Sequence, residues 1–195
     1  MIEVRPKPSS RRLEDRRWTF EELAKELPES NLPTELWDGE LVVCPAPSFP
    51  HQKIVFRFRK ILDAFVTGHQ LGETVCAPID MVLSARRATQ PDVLFVSAAR
   101  MNIVHQRIMG AADLVAEVIS PDSRRRDRID KRDLYKQYGV KEYWIIDPEA
   151  QTVEVLFLEA GQYRLIGRWQ PGEKAKSRLL KGLIVEVDQI FGKSG

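Results

Sequence analysis

Three ionisable residues sit where an apolar pattern has no place for them. Asp92 opens the apolar run 92–96 directly after Gln90 and Pro91. Glu117 stands between Ala116 and Val118 in the almost wholly apolar run 114–119. A buried carboxylate without a partner costs several kcal/mol, so each needs a cation, a metal or a hydrogen-bond network. Lys131 is the third. It lies i+3, i+4 and i+7 from Leu134, Tyr135 and Tyr138, and so shares the inward face of a predicted helix over 124–138. From there its ammonium can point back at Glu117. Asp127 falls one turn earlier on the same face. Two carboxylates on neighbouring strand ends beside a lysine suit a hard divalent ion such as Mg²⁺ or Mn²⁺. Water bound to such an ion is a nucleophile for phosphodiester attack, and the cations offset charge building on phosphorus oxygens. Spacing alone serves equally well a buried Glu–Lys ion pair with Asp92 as a turn residue.

The elements that must hold these residues read as follows. Thr19 can cap a short helix, with Glu21 and Glu22 in its first turn. Residues 28–33 form a loop. Asp38 and Gly39 between the runs 35–37 and 40–43 predict a tight hairpin. Ser48 caps a long helix running to about residue 67 and ended by Gly68. Ile54, Val55, Phe58, Ile61, Leu62 and Phe65 give it one buried stripe. Runs at 74–77 and 79–83 are one bent strand or a pair, broken at Pro78. Strands follow at 92–96, 114–119 and 143–146, with an irregular or briefly helical stretch at 98–108 and the 124–138 helix before the last of them. A hairpin spans 153–158 and 163–169, and 184–187 makes a final short strand. The result is an α/β fold, a mixed central sheet with helices on its faces.

Composition narrows the classes. No apolar run reaches the roughly 18 residues of a membrane helix, and the charged N-terminus lacks the apolar segment of a secretory signal. The expectation is a soluble cytoplasmic protein with a flexible basic arm at 1–17 and one domain at 18–195. The net charge of +2 is too near zero to establish a polyanionic partner. Basic residues are nevertheless concentrated in 1–17 and in 122–132, where Arg124, Arg125, Arg126 and Arg128 could meet a DNA backbone. A solvated tail and helix face explain either patch taken alone. Cys44 and Cys76 are too few and too far apart for a disulfide framework or a zinc site and read as buried free thiols. No P-loop, G-x-G-x-x-G or G-x-S-x-G occurs.

Pro91-Asp92 followed 25 residues later by Glu117-Val118-Ile119-Ser120 resembles the PD-(D/E)XK nuclease superfamily. The further runs Trp37-Asp38-Gly39-Glu40-Leu41, His51-Gln52, Lys131-Arg132-Asp133-Leu134-Tyr135 and Glu142-Tyr143-Trp144-Ile145-Ile146-Asp147-Pro148 resemble one bacterial branch, the "putative restriction endonuclease" family. The resemblance runs over about 18–191. It implies a restriction-endonuclease-like αβββαβ core with added N- and C-terminal hairpins, and a metal-dependent endonuclease, a hydrolase cutting DNA. The runner-up is a weakly active or inactive DNA-binding or assembly module on the same fold. Asp92, Glu117 and the Val118 carbonyl would hold Mg²⁺ or Mn²⁺, with Lys131 catalytic. The superfamily lysine ordinarily stands two residues after the acid, here Ile119, so Lys131 on the next helix would replace it. Glu40, His51, Gln52 and Asp127 would be accessory. Cutting both strands needs two sites, which implies a homodimer or a higher homo-oligomer.

Overall fold

A computed structural model describes residues 16–26, 34–121 and 123–192. Residues 1–15 of the expected 1–17 arm and the whole 28–33 loop lie outside the described residues. Thr19 does cap the first helix, α1 (Phe20–Glu26): its Oγ1 accepts from the Glu22 amide at 3.2 Å, and the Glu22 carboxylate accepts from the Thr19 amide at 2.8 Å. That reciprocal pair is a capping box. Strands β1 (Thr34–Trp37) and β2 (Glu40–Val43) form the expected hairpin. Asp38 and Gly39 take consecutive positive φ values of 50° and 86°, as the tight turn requires.

Ser48 caps α2 (Phe49–Gly68), whose buried stripe is Ile54, Val55, Phe58, Leu62 and Val66. The 74–83 region resolves into two strands on either side of Pro78, β3 (Gly72–Cys76) and β4 (Met81–Ser84). They are followed by β5 (Arg87–Thr89), β6 (Val93–Ser97), a 3₁₀ segment (Ala98–Ile103), β7 (Ile108–Met109) and β8 (Leu114–Val118). A π-helical stretch (Arg126–Lys131) then runs into α3 (Arg132–Tyr138), which Gly139 closes at φ 81°. Next come β9 (Glu142–Asp147), β10 (Thr152–Glu159), β11 (Gln162–Trp169), β12 (Lys174–Lys176), β13 (Ile184–Glu186) and α4 (Val187–Phe191).

The main sheet has the order β11-β10-β9-β8-β6-β3. Its one parallel pair, β8 with β9, is joined by the helical crossover carrying Lys131. Each face of the sheet carries its own core. One packs Val93, Phe95, Ala116, Val118, Trp144 and Ile146 against α2. The other packs Leu94, Val96, Val115, Ile145 and Tyr143 against Tyr135 of α3. Trp144 and Tyr143 are fully buried core residues.

The N-terminal hairpin is not a free-standing addition. Leu36 of β1 pairs with Ala88 of β5 and places β1 in a second, five-stranded sheet, β2-β1-β5-β4-β7. Burial of Leu36 with Trp18, Val82 and Ala88 fixes it there. Cys44 and Cys76 are free but only half-buried, because both stand at strand ends.

Candidate active site

Strand register brings the two acids together. β6 and β8 are antiparallel with Val93 opposite Ala116, so Asp92, just before β6, comes level with Glu117 near the end of β8. Paired positions point to one face. Asp92 Oδ2 accepts the Val118 amide at 2.8 Å, which ties the two strand ends directly. The Val118 carbonyl is approached from the α2 side by His51 Nε2 at 3.0 Å, and the same nitrogen lies 3.3 Å from Asp92 Oδ2. His51 therefore stands between two of the oxygens that the family resemblance assigns to a metal. Burial pulls its pKa down, but the hydrogen bond and charge of Asp92 and the Val118 carbonyl prevail and leave it raised. Its Nδ1 is buried and has no hydrogen-bond partner among the described residues.

From the other face, Lys131 reaches Glu117 as its helical position predicts. The ammonium lies 2.9 Å from Glu117 Oε1, 3.1 Å from Glu35 Oε1 and 3.6 Å from Asp127 Oδ1. The widened π turn places Asp127 and Lys131 together on its buried side. Tyr135, one turn on, donates to Glu117 Oε1 at 2.6 Å. Burial holds the Glu117 carboxyl well above its ordinary range, against the pull of Lys131. Asp127 is raised for the same reason. Burial alone would lower Lys131, but Glu117 and Glu35 more than compensate and hold its charge. Burial also keeps Tyr135 a neutral donor.

Glu35 was not among the residues singled out from the sequence. It is 2% exposed and fixed on three sides: Lys131, the Gln90 amide at 3.3 Å and Trp37 Nε1 at 3.0 Å on its second oxygen. The available signal was a carboxylate inside the short apolar run 35–37. Its significance depends on the second sheet, which the hairpin motif does not reveal. Glu40, the acid expected to assist here, is instead on the outer rim of the hairpin, 61% exposed and paired with Arg17 at 2.8 Å. Gln52 is exposed, away from the cluster.

The four arginines divide. Arg124 pairs with Asp147 at 2.7 Å and Glu149 at 2.6 Å, and Arg128 pairs with Glu154 at 2.8 Å and Asp147 at 3.0 Å. These two tie the helix to the end of β9. Arg126 donates to Cys44 Sγ at 3.5 Å. Arg125 is exposed and forms no ion pair among the described residues.

The cluster as a whole is over-acidic. Glu35, Asp92, Glu117 and Asp127 surround one ammonium and one imidazole. Among the described residues no three His, Cys, Asp or Glu side chains form a ready metal cage. Asp92 Oδ2 and the Val118 carbonyl both lie within 3.3 Å of His51 Nε2, with Glu117 level with Asp92 on the paired strand, and such carboxylate and carbonyl oxygens are hard donors of the kind Mg²⁺ and Mn²⁺ accept while keeping several waters. The residues present fit such an ion.

Among the described residues no helix is long and apolar enough to cross a membrane. No curated protein matches the chain. A solved structure from Anabaena variabilis ATCC 29413, titled a putative nuclease belonging to DUF820, superposes with a TM-score of 0.76 at 20% identity, covering 89% of this chain and 97% of that one. At that identity the likeness shows the fold, a restriction-endonuclease-like one. The family model Uma2, described as "Putative restriction endonuclease", matches residues 19–188. With the sheet order, the paired strand-end acids and a match over most of its length, the chain belongs to the Uma2 family, described as "Putative restriction endonuclease", of the PD-(D/E)XK restriction-endonuclease-like type.

Proposed function

We propose that the protein is a divalent-metal-dependent endodeoxyribonuclease. The observation that carries this reading is the charge imbalance of the cluster: Glu117 and Asp92 at the ends of two adjacent strands, Glu35 of β1 and Asp127 of the π turn share one ammonium and one imidazole. A buried excess of negative charge is costly unless a cation or protons offset it. Asp92, Glu117 and the Val118 carbonyl would hold Mg²⁺ or Mn²⁺, with the His51 imidazole beside them as a further donor. The metal, when bound, supplies an activated water and a counter-charge for the phosphodiester. Lys131 then orients the attacking water and offsets charge on the phosphorus oxygens. Glu35 and Tyr135 keep the ammonium and Glu117 in place. Arg125, and Arg126 beside it, are the cations of the helix start available to the backbone of DNA. Two such sites in a homodimer would serve both strands.

One observation favours a weakly active or inactive DNA-binding module instead. Glu117 Oε1 is already engaged by Lys131 and Tyr135, at 2.9 and 2.6 Å. Plasmid cleavage separates the two readings. The endonuclease requires Mg²⁺ or Mn²⁺ and is lost in Asp92→Ala, Glu117→Ala and Lys131→Ala. Salt-dependent DNA binding with no cleavage in any divalent metal selects the module.

A further inference from the structure

The side of α2 turned away from the sheet carries a feature the cluster does not use. Phe49 is 77% exposed and Phe56 61%. With Lys53 and Lys60 they recur at i, i+4, i+7 and i+11, and so fall on one narrow stripe of the helix. Lys53 Nζ lies 5.9 Å from the Phe49 ring. Neither lysine forms an ion pair among the described residues. The one acid bordering the stripe, Asp63, is hydrogen-bonded by Thr74 of β3. Arg57, beside it, is spent on the Phe191 carbonyl at 2.6 Å. Two aromatic rings left in water on a helix with a complete buried stripe of its own are not needed for folding.

We infer that this stripe is a stacking platform for an unpaired nucleic-acid strand. Such a strand combines planar apolar rings with a repeating negative charge, the complement of alternating phenylalanines and lysines. The two rings are separated by two helical turns, about 10 Å along the axis at 1.5 Å per residue. The platform starts in the same turn that sends His51 to Val118 on the opposite side of the helix, so a strand leaving the cluster over the N-terminus of α2 runs onto it. A second copy of the chain is a poorer occupant than a polyanion, because it would gather four lysines into one contact whose bordering acid, Asp63, is already hydrogen-bonded by Thr74. The identity of the strand as DNA rests on the nuclease reading. The platform itself does not, and its test contains no cleavage step.

Fluorescence anisotropy of the full chain in EDTA, with a labelled 20-nucleotide oligothymidylate and a 20-base-pair duplex, provides that test. The single strand should bind more tightly than the duplex. Phe49→Ala/Phe56→Ala should weaken single-strand binding about tenfold or more while leaving the duplex within about twofold. Phe49→Leu/Phe56→Leu should weaken it similarly, and Phe49→Tyr/Phe56→Tyr should restore it. Lys53→Gln/Lys60→Gln should reduce the slope of log affinity against log salt by about 1.4. Unchanged melting temperatures show that the variants fold. The inference is overturned by a single-strand loss under about threefold, by equal losses on strand and duplex, or by rescue with leucine. It is also overturned if the alanine pair leaves DNA binding intact and abolishes instead self-association in sedimentation or binding to anionic phospholipid vesicles.

Discussion

Replacing Lys131 by methionine keeps most of the side-chain volume and removes the charge. In the wild type the ammonium contacts Glu117, Glu35 and Asp127 at 2.9, 3.1 and 3.6 Å, with the lysine side chain 8% exposed. Afterwards Glu117 keeps Tyr135, and Glu35 keeps Trp37 and the Gln90 amide, but no described cation remains on this face of the cluster. Breaking a buried pair from one side costs about 3–5 kcal/mol. For a chain of this size that lowers Tm by about 6–20 °C. The loss should depend on pH with a definite sign. Burial already holds Glu117 and Asp127 above the ordinary carboxylate range, and removal of the ammonium raises both further. A carboxyl raised in the folded state favours folding fully at low pH and loses that contribution as pH rises through its folded value. The deficit of Lys131→Met against wild type should therefore be smallest near pH 5 and grow towards pH 8. Chemical denaturation at pH 5, 6.5 and 8 measures it, and Glu117→Gln/Lys131→Met should recover much of the loss because the stranded charge is gone. A deficit below about 1 kcal/mol, or one independent of pH, refutes the shared buried charge.

Mn²⁺ at a hundredfold excess over its Kd should stabilise the wild type by about 2.7 kcal/mol. The accompanying rise in Tm should vanish in Asp92→Asn, and equal shifts in both proteins would remove Asp92 from the metal's surroundings. Glu35→Gln should reduce DNA cleavage while Glu40→Gln leaves it unchanged, and plasmid assays reversing that order would return the role to the hairpin rim. Asp113 is held near pKa 2 because the Lys141, Ser97 and Arg100 donors outweigh its burial. A depressed carboxylate stabilises above its unfolded pKa and loses that contribution as pH falls through the folded one. Asp113→Asn should thus cost about 2 kcal/mol at pH 7 and almost nothing at pH 2, as judged by denaturant midpoints. Gly72→Ala should sharply lower Tm, since a Cβ there would lie 2.1 Å from the Val96 carbonyl oxygen at a φ of 146°.

The sequence alone determined everything that depends on local period and cost. An acid inside an oily strand must be answered by a partner, and three- and four-residue spacing on a helix says which side a lysine takes. Asp92, Glu117 and Lys131 were legible for that reason, as were the Thr19 capping box, the Asp38–Gly39 turn and the Ser48-capped helix. What the tertiary structure decided is what depends on chain segments far apart meeting in register. Glu35 became the third acid on Lys131 because Leu36 pairs with Ala88 and carries β1 over the cluster, a contact between residues 52 positions apart that no local pattern encodes. Glu40, one strand later and equally acidic, went to solvent instead. His51 reached Val118 across 67 residues because α2 packs its stripe on the sheet. Arg124 and Arg128, a solvated basic run on paper, were claimed by Asp147 when β9 ended beside them. Charge type and spacing are written in the chain, whereas the neutralising partner is chosen only when the sheets assemble.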